Sequence, residues 1–334
     1  MIPNIVEWLL EEDDKHPGVR YFTLVDLLDR PAGDPDVLDA RQALMSQGQV
    51  PVILEAQDPT GYWEKSGTGY YPKYRGSVWS VIYLAQLGAD PADPRVRSGG
   101  EYLLSNAMTA AGTFSMTGTP SGNISCLNGN LCAALLDLGF AEDERLLRAV
   151  ERMARFVTGD GIATAAHRKE PLRYLKSATC GPGFRCSANN RLPCAWGAVK
   201  VLRALARVPE EARTPVMEQA LSDSVDFLFS VDPASAGYPA GYSDKPSTSW
   251  FKLGFPLFYV TDVLQTAEAL TEAGHGGDPR LAATYQWIAS RREQDGRWKM
   301  TYSYQGKTWA DAGKRGEPNK WVALRAMRVL RRGG

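Results

Sequence analysis

The stretch Gly76-Ser-Val-Trp-Ser-Val-Ile-Tyr-Leu-Ala-Gln-Leu-Gly88 is apolar on almost every face of a helix and ends on a glycine. A helix of that kind is stable only when it is surrounded on all sides. The same type of segment recurs at Gly18 to Leu28, Leu127 to Gly139, Cys194 to Val208, Gly254 to Gly274 and Asn319 to Arg332. Amphipathic segments alternate with these six: Pro3 to Glu12, Asp34 to Gln57, Asp93 to Leu104, Asp143 to Val157, Met217 to Val231 and Asp278 to Ile288. Several begin with Asp followed by Pro, an N-cap with proline at the first helical position. The chain therefore starts on an outer-type helix and ends on an inner-type one, and the two ends must pair. The expected fold is all-α, a closed (α/α)6 toroid of six inner and six outer helices forming one domain over residues 1–334. An open solenoid uses the same helix pairs but needs a polar terminal cap. Trp321-Val-Ala-Leu-Arg-Ala-Met-Arg-Val-Leu330 is not one.

Composition excludes several partners. Lys plus Arg and Asp plus Glu are 38 each, so no global field points to nucleic acid or to a membrane surface. No apolar run approaches the ~20 residues of a membrane span. The first residues, Met1 to Asp14, lack the basic start and cleavage site of an export signal, and the five cysteines are an odd number. Reduced thiols and a cytoplasmic location are expected.

The linkers are of two kinds. Inner-to-outer turns are short, as in Gly88 to Asp93 and Gly139 to Asp143. Outer-to-inner linkers are long: Gly61 to Ser77, Gly112 to Gly129, Gly161 to Cys194, Gly237 to Pro256 and Gly296 to Trp321. In a ring all the long ones meet at one mouth, beside the inner-helix N-termini. They hold 17 basic residues against five acids, a net +12 in a chain of zero net charge. Exposed helix N-termini also favour anions. Lys73, Arg75, Arg173, Arg191, Lys252, Lys299 and Lys320 are the candidate anion contacts. The plainer alternative is a solvated basic rim. Aromatic residues crowd the same loops: Trp63, Tyr70, Tyr74, Trp250, Trp298, Tyr302, Trp309 and Trp321. Trp79, Tyr83, Phe255, Phe258 and Tyr259 are expected in the first turns of inner helices. Such rings suit an apolar or cationic ligand, or simply pack the loops onto the helix ends.

Two junctions, and a third more weakly, carry a family resemblance. Gln57-Asp-Pro-Thr-Gly61-Tyr-Trp63 fits a Gln-x-x-x-Gly-x-Trp repeat, Gln294-Asp-Gly296-Arg-Trp298 is a shortened copy, and Gly112 with Phe114 a degenerate one. The chain thereby resembles the terpenoid cyclase and protein prenyltransferase β-subunit superfamily, with its QW-type repeats. The resemblance implies a toroid that binds an isoprenoid substrate. The Asp-x-Asp-Asp and Asp-Asp-x-x-Asp motifs of its cyclases are missing. Its Asp, Cys and His zinc set has no clear match among His16, His167 and His275.

Cys126, Cys180, Cys186 and Cys194 fall at the same mouth in adjacent sectors, where four soft ligands suit tetrahedral zinc. Scattered structural thiols are the alternative, and Cys132 belongs to the core. Asp262 and Asp26 lie about two turns into otherwise apolar inner helices, where burial fits a carboxyl for proton donation. A hydrogen bond to a neighbouring helix explains them equally. Asp311, near Trp309, is the third candidate and can instead pair with Lys314 or Arg315. Three functions remain open. The first is a terpenoid-cyclase-like or prenyl-transfer enzyme binding an anionic substrate, such as a prenyl diphosphate, in an aromatic-lined cavity. The others are an enzyme acting on an acidic polysaccharide and a non-catalytic toroid that binds a ligand or a protein.

Overall fold

The computed structural model describes residues 5–162 and 180–333. In chain order the helices are α1 (Ile5–Leu10), α2 (Pro17–Phe22), α3 (Pro35–Ser46), α4 (Gln49–Glu55), α5 (Ser77–Leu87), α6 (Pro94–Asn106) and α7 (Ser125–Asp137). They continue as α8 (Glu144–Thr158), α9 (Ala195–Ala206), α10 (Pro215–Leu228), α11 (Val263–Glu272), α12 (Ala282–Ser290) and α13 (Lys320–Arg332). Among the described residues the only sheet is a two-stranded antiparallel ladder of β1 (Cys180–Gly181) and β2 (Arg185–Cys186). No described helix is long and apolar enough to cross a membrane.

The inner-type helices α2, α5, α7, α9, α11 and α13 touch in succession. α5 packs on α7, α7 on α9, α9 on α11, α11 on α13 and α13 on α2. The remaining contact is made at Gly18 of α2, where an added Cβ would lie 2.7 Å from the Leu87 carbonyl oxygen of α5. The amphipathic helices lie against this set: α6 on α5, α8 on α7, α10 on α9, α12 on α11 and α13. α1 packs beside both α2 and α13, so the two ends of the chain meet. One hydrophobic cluster draws residues from every α-helix. Leu24, Val81, Leu135, Val199, Leu264 and Leu324, one from each inner-type segment, are all buried.

Local chemistry sets the boundaries. Asp34, Asp93 and Asp143 cap α3, α6 and α8, accepting from the N–H two residues on at 2.9, 2.8 and 2.8 Å. Asp278 caps a short 3-10 turn before α12 in the same way, at 2.9 Å.

Four expectations are corrected. The segment Asp34 to Gln57 is two helices, because Gly48 takes φ +69° against Pro17, a position closed to a side chain. The α2 helix gives way to a π turn over Thr23–Leu27. The segment beginning at Gly254 becomes helical only at Val263, so Phe255, Phe258 and Tyr259 lie in irregular backbone around Pro256 instead of a first helical turn. Asp262 is consequently the N-cap of α11, its Oδ1 accepting from Gln265 N at 2.6 Å, and not a residue two turns inside.

The junctions before α5 and α13 share one geometry. Gln57 bridges Trp63, and the Trp63 Nε1–H donates to Ile53 O at 2.7 Å. Arg292 bridges Trp298, and the Trp298 Nε1–H donates to Ile288 O at 2.9 Å, again ten residues upstream. Gln57 Nε2 donates to Gly61 O and Arg292 Nε to Gly296 O, so Arg292 and not Gln294 stands where Gln57 does. Met108 bridges Phe114 likewise, without an indole to bond.

Candidate functional site

Where the six inner-type helices end, they bound a cavity of about 550 Å³. α2 contributes Tyr21 and Phe22, α5 Ala85 and Gln86, α7 Asp137, and α9 Arg203 and Arg207. α11 contributes Glu268 and Glu272, and α13 contributes Arg325, Arg328 and Arg332. Asp26, Arg41 of α3, Phe255 and Leu257 complete the polar and apolar walls. Arginine is well placed here, since helix C-termini present carbonyl oxygens and partial negative charge.

Most of these charges are paired. Arg325 is buried and binds Asp262 at 3.0 Å and Glu268 at 2.8 Å, with its Nη1 also donating to Gly254 O at 2.8 Å. Glu272 accepts from Arg203 at 3.2 Å and Arg207 at 2.8 Å. Burial alone would raise the Glu272 carboxyl, but the two guanidinium groups outweigh it and hold it well below the usual range. Asp137 pairs with Arg207, and Asp26 with Arg328. Two donors on the walls stand apart: Arg41 Nε and Arg328 Nε are buried without a hydrogen-bond partner in the protein. Arg41 pairs through Nη2 with Asp90 at 2.9 Å, while the Arg328 guanidinium lies 4.5 Å from the Phe22 ring centroid.

The predicted carboxyls are thus all engaged. Asp262 is locked to Arg325 and to its own helix end, which is the helix-to-helix bond weighed as the alternative. Asp26 lies in the π turn, half-buried, rather than deep in a helix. Asp311 does not pair with Lys314 or Arg315. Its Oδ1 accepts from Gly306 N at 2.8 Å, because the loop folds back on itself there. It borders a second cavity, of about 620 Å³, together with Asp13, His16, Gln49, Lys314 and Lys320.

The predicted aromatic residues close largely on one another. Tyr74 meets Tyr259, hydroxyl to hydroxyl at 2.9 Å, and its ring lies 4.7 Å from that of Tyr304. Phe258, fully buried, contacts Trp79, Tyr83 and Tyr304. Tyr70 packs on Trp79, Tyr302 on Tyr304, and Phe255 stacks on Trp321 at 4.3 Å. Trp250 lies apart, against Trp196 and Tyr238, and Trp63 and Trp298 are the buried staples described above. Asn130 Nδ2 donates to Phe258 O and Gln86 Nε2 to Leu257 O, which ties segment 254–262 to α7 and α5.

The predicted basic residues divide. Arg75 lies 4.0 Å from the Trp309 ring centroid and pairs with Glu64 at 3.0 Å. Lys73 sits 5.2 Å from the Tyr259 ring centroid. Lys320 is buried beside Glu11 and Asp13, and Lys299 pairs with Glu293 at 3.1 Å. Lys252 is half-buried near Tyr302, and Arg191 is exposed. Arg173, with His167, Arg168, Lys169 and Lys176, lies outside the described residues.

Three of the four predicted thiols belong to the ladder region, and the fourth, Cys126, follows Ser125, whose N–H donates to Cys180 Sγ at 3.0 Å. Cys180 and Cys186 face each other across the ladder, Cys194 caps α9, and Cys126 is in the first turn of α7. All are free, and Cys132 is core as expected. Among the described residues, however, no three such side chains are disposed to hold a metal ion. Sequence reading missed Lys200, Glu268 and Arg325. Each is a charge within an apolar inner helix, the same signal that singled out Asp262. Lys200 is buried on α9 and donates to Gln265 Oε1, and burial drives its amine well below the usual lysine range.

No protein-family model and no curated protein matches this sequence. Among solved structures, a type II terpene cyclase from Scytonema with its product merosterolic acid A aligns at TM-score 0.35 and 11% identity, covering 85% of this chain and 94% of that one. The same cyclase with geranylgeranyl dihydroxybenzoate gives 0.34 at 11% identity, over 85% and 95%. Its apo form gives 0.29 at 14% identity, over 84% and 95%. Likeness at this level carries nothing about the site.

Proposed function

We propose that this chain is a single-domain (α/α)6 toroid of terpenoid-cyclase-like type whose central cavity binds an anionic small molecule. A common axis for the six inner helices is supported by the cavity they jointly bound and by their successive contacts. Repetition of one bonding pattern at Trp63 and Trp298 supports reading those junctions as QW-type repeats. The observation that carries the ligand reading is the pair of partnerless donors, Arg41 Nε and Arg328 Nε, in walls that also carry Tyr21, Phe22, Phe255 and Leu257. Buried donors require acceptors, and a carboxylate or phosphate head with an apolar body supplies them while filling the remaining space.

A second reading, binding without catalysis, is favoured by one fact. Each of the four cavity carboxylates is paired with an arginine. For Glu272 the two guanidinium groups hold the ionised form, which is a poor proton donor. Thermal stabilisation by prenyl diphosphates, prenylated aromatic acids and uronate oligomers tests both readings. Prenyl-bearing anions should raise the melting temperature of the wild type, less so as salt rises, and should fail with Arg41→Gln/Arg328→Gln. Product formation from the ligand that binds would decide for the cyclase; binding with unchanged ligand decides for the second reading. Equal shifts in wild type and double variant, or none with any anion, would sink the proposal.

A further inference from the structure

The register of the small ladder fixes an unusual relation between thiols. Cys186 donates its N–H to Leu192 O at 3.2 Å and accepts at its carbonyl from Arg191 N at 2.8 Å. Both backbone groups of Cys186 therefore point away from its partner Cys180, and the Cys180–Cys186 pair is non-hydrogen-bonded. In such pairs the Cα atoms approach to ~4.5 Å and the side chains are closest. That falls within the ~4.4–6.8 Å that a disulfide spans. On the other side, Arg185 bridges Pro193 and Cys194 N donates to Phe184 O at 2.9 Å. Strand alternation then puts Cys194 on the same face as Cys186.

Cys180 is the more deeply buried of the pair, at 2% exposure against 9% for Cys186. The Cys180 Sγ accepts from Ser125 N at 3.0 Å, at the start of α7.

We propose that Cys186 and Cys180 form a reversible dithiol–disulfide couple, with Cys186 the sulfur that reacts with a hydroperoxide. The Cys186 thiolate attacks the terminal peroxide oxygen, an S–O bond forms, the O–O bond breaks, and the alkoxide leaves to take up a proton as the alcohol. The Cys180 thiol, across the ladder, then attacks the Cys186 sulfur. An S–S bond forms, the S–O bond breaks, and the Cys180 proton departs with hydroxide as water. The two thiols are oxidised by two electrons in all and the peroxide is reduced to alcohol and water. Cys186 is the less buried sulfur of the pair and the one a peroxide reaches first, with Cys180 behind it across the ladder.

The experiment is peroxide treatment of the folded chain, alkylation, denaturation and peptide mapping. Of the five thiols, two should be lost, linked as Cys180–Cys186, and both restored by dithiothreitol. Cys132→Ser should lose the same pair, and Cys186→Ser should lose none while keeping its helical circular dichroism. Should Cys186→Ser fail to fold, Cys180→Ser serves instead. It should leave a sulfenic acid at Cys186 that dimedone labels. Retention of all five thiols, a disulfide between other cysteines, absence of the dimedone adduct, or a stoichiometric metal that must be stripped before any oxidation would each overturn the proposal.

Discussion

Arg325 shows what a single residue does here. It crosses from α13 to both Asp262 and Glu268 of the α11 segment, and all three side chains are nearly without solvent. Removing one member of a buried ionic group leaves the others unpaired, which costs about 3–5 kcal/mol. Arg325→Ala should therefore lower unfolding free energy by that much in guanidinium titrations. The triple replacement Asp262→Leu/Glu268→Met/Arg325→Met should cost less than the single one, because no uncompensated charge remains. Lys200 adds a pH effect. Its amine is held well below the usual range by burial, so between its folded and unfolded values the unfolded chain binds a proton that the folded chain does not. Stability must then rise with pH up to the ordinary lysine value of ~10.4. Between pH 7 and pH 10, Lys200→Met should flatten that slope, as read from denaturant midpoints; an unchanged slope would mean that the amine stays charged inside.

At the scale of elements, the packing of α7 on α9 depends on Gly129. An added Cβ there would lie 2.6 Å from the Lys200 carbonyl oxygen, in rigid helix backbone. Gly129→Ala should thus push the helices apart and cost about 1–3 kcal/mol or more, against the usual gain of alanine in a helix. A thermal melt at or above wild type would refute the close approach. The two tryptophan staples offer a paired test. Trp63 and Trp298 are both buried and both donate from Nε1 to the carbonyl ten residues upstream. Trp63→Phe and Trp298→Phe should each cost about 1–3 kcal/mol, from an unpaired buried carbonyl and lost packing. Costs that differ strongly between the two would argue that the junctions are not repeats of one design.

For the whole molecule, ring and solenoid make opposite predictions. Stability in a solenoid sums over neighbours, so loss of a terminal repeat leaves the rest folded. Here α13 packs on α2, α11, α12 and α1, and it supplies Arg325 to the core. Truncation after Pro318 should therefore abolish cooperative unfolding of the entire chain, as followed by circular dichroism and hydrogen exchange. A truncated chain that still melts sharply near the wild-type temperature would favour an open array.

Much of this was legible in the sequence, and the limits have a physical origin. Helical period and apolarity are local, so the six buried helices, their amphipathic partners and the Asp-Pro caps at Asp34 and Asp93 could be read directly. Cys180, Cys186 and Cys194 belong to one linker of the sequence, and the segments that carry them do pair with one another. The break at Gly48 and the irregular run from Gly254 to Thr261 were harder to read, because Gly and Pro permit a turn without requiring one. What only the tertiary structure decided was pairing over distance. Asp262 finds Arg325 across 63 residues, the aromatic residues face each other instead of an opening, and a described cavity bounded by all six inner-type helices lies at their carbonyl ends, away from the predicted basic mouth. Those outcomes depend on which helix stands beside which and on its rotation about its own axis. Neither is encoded in a local period, because the same apolar pattern buries a helix against any neighbour of suitable shape.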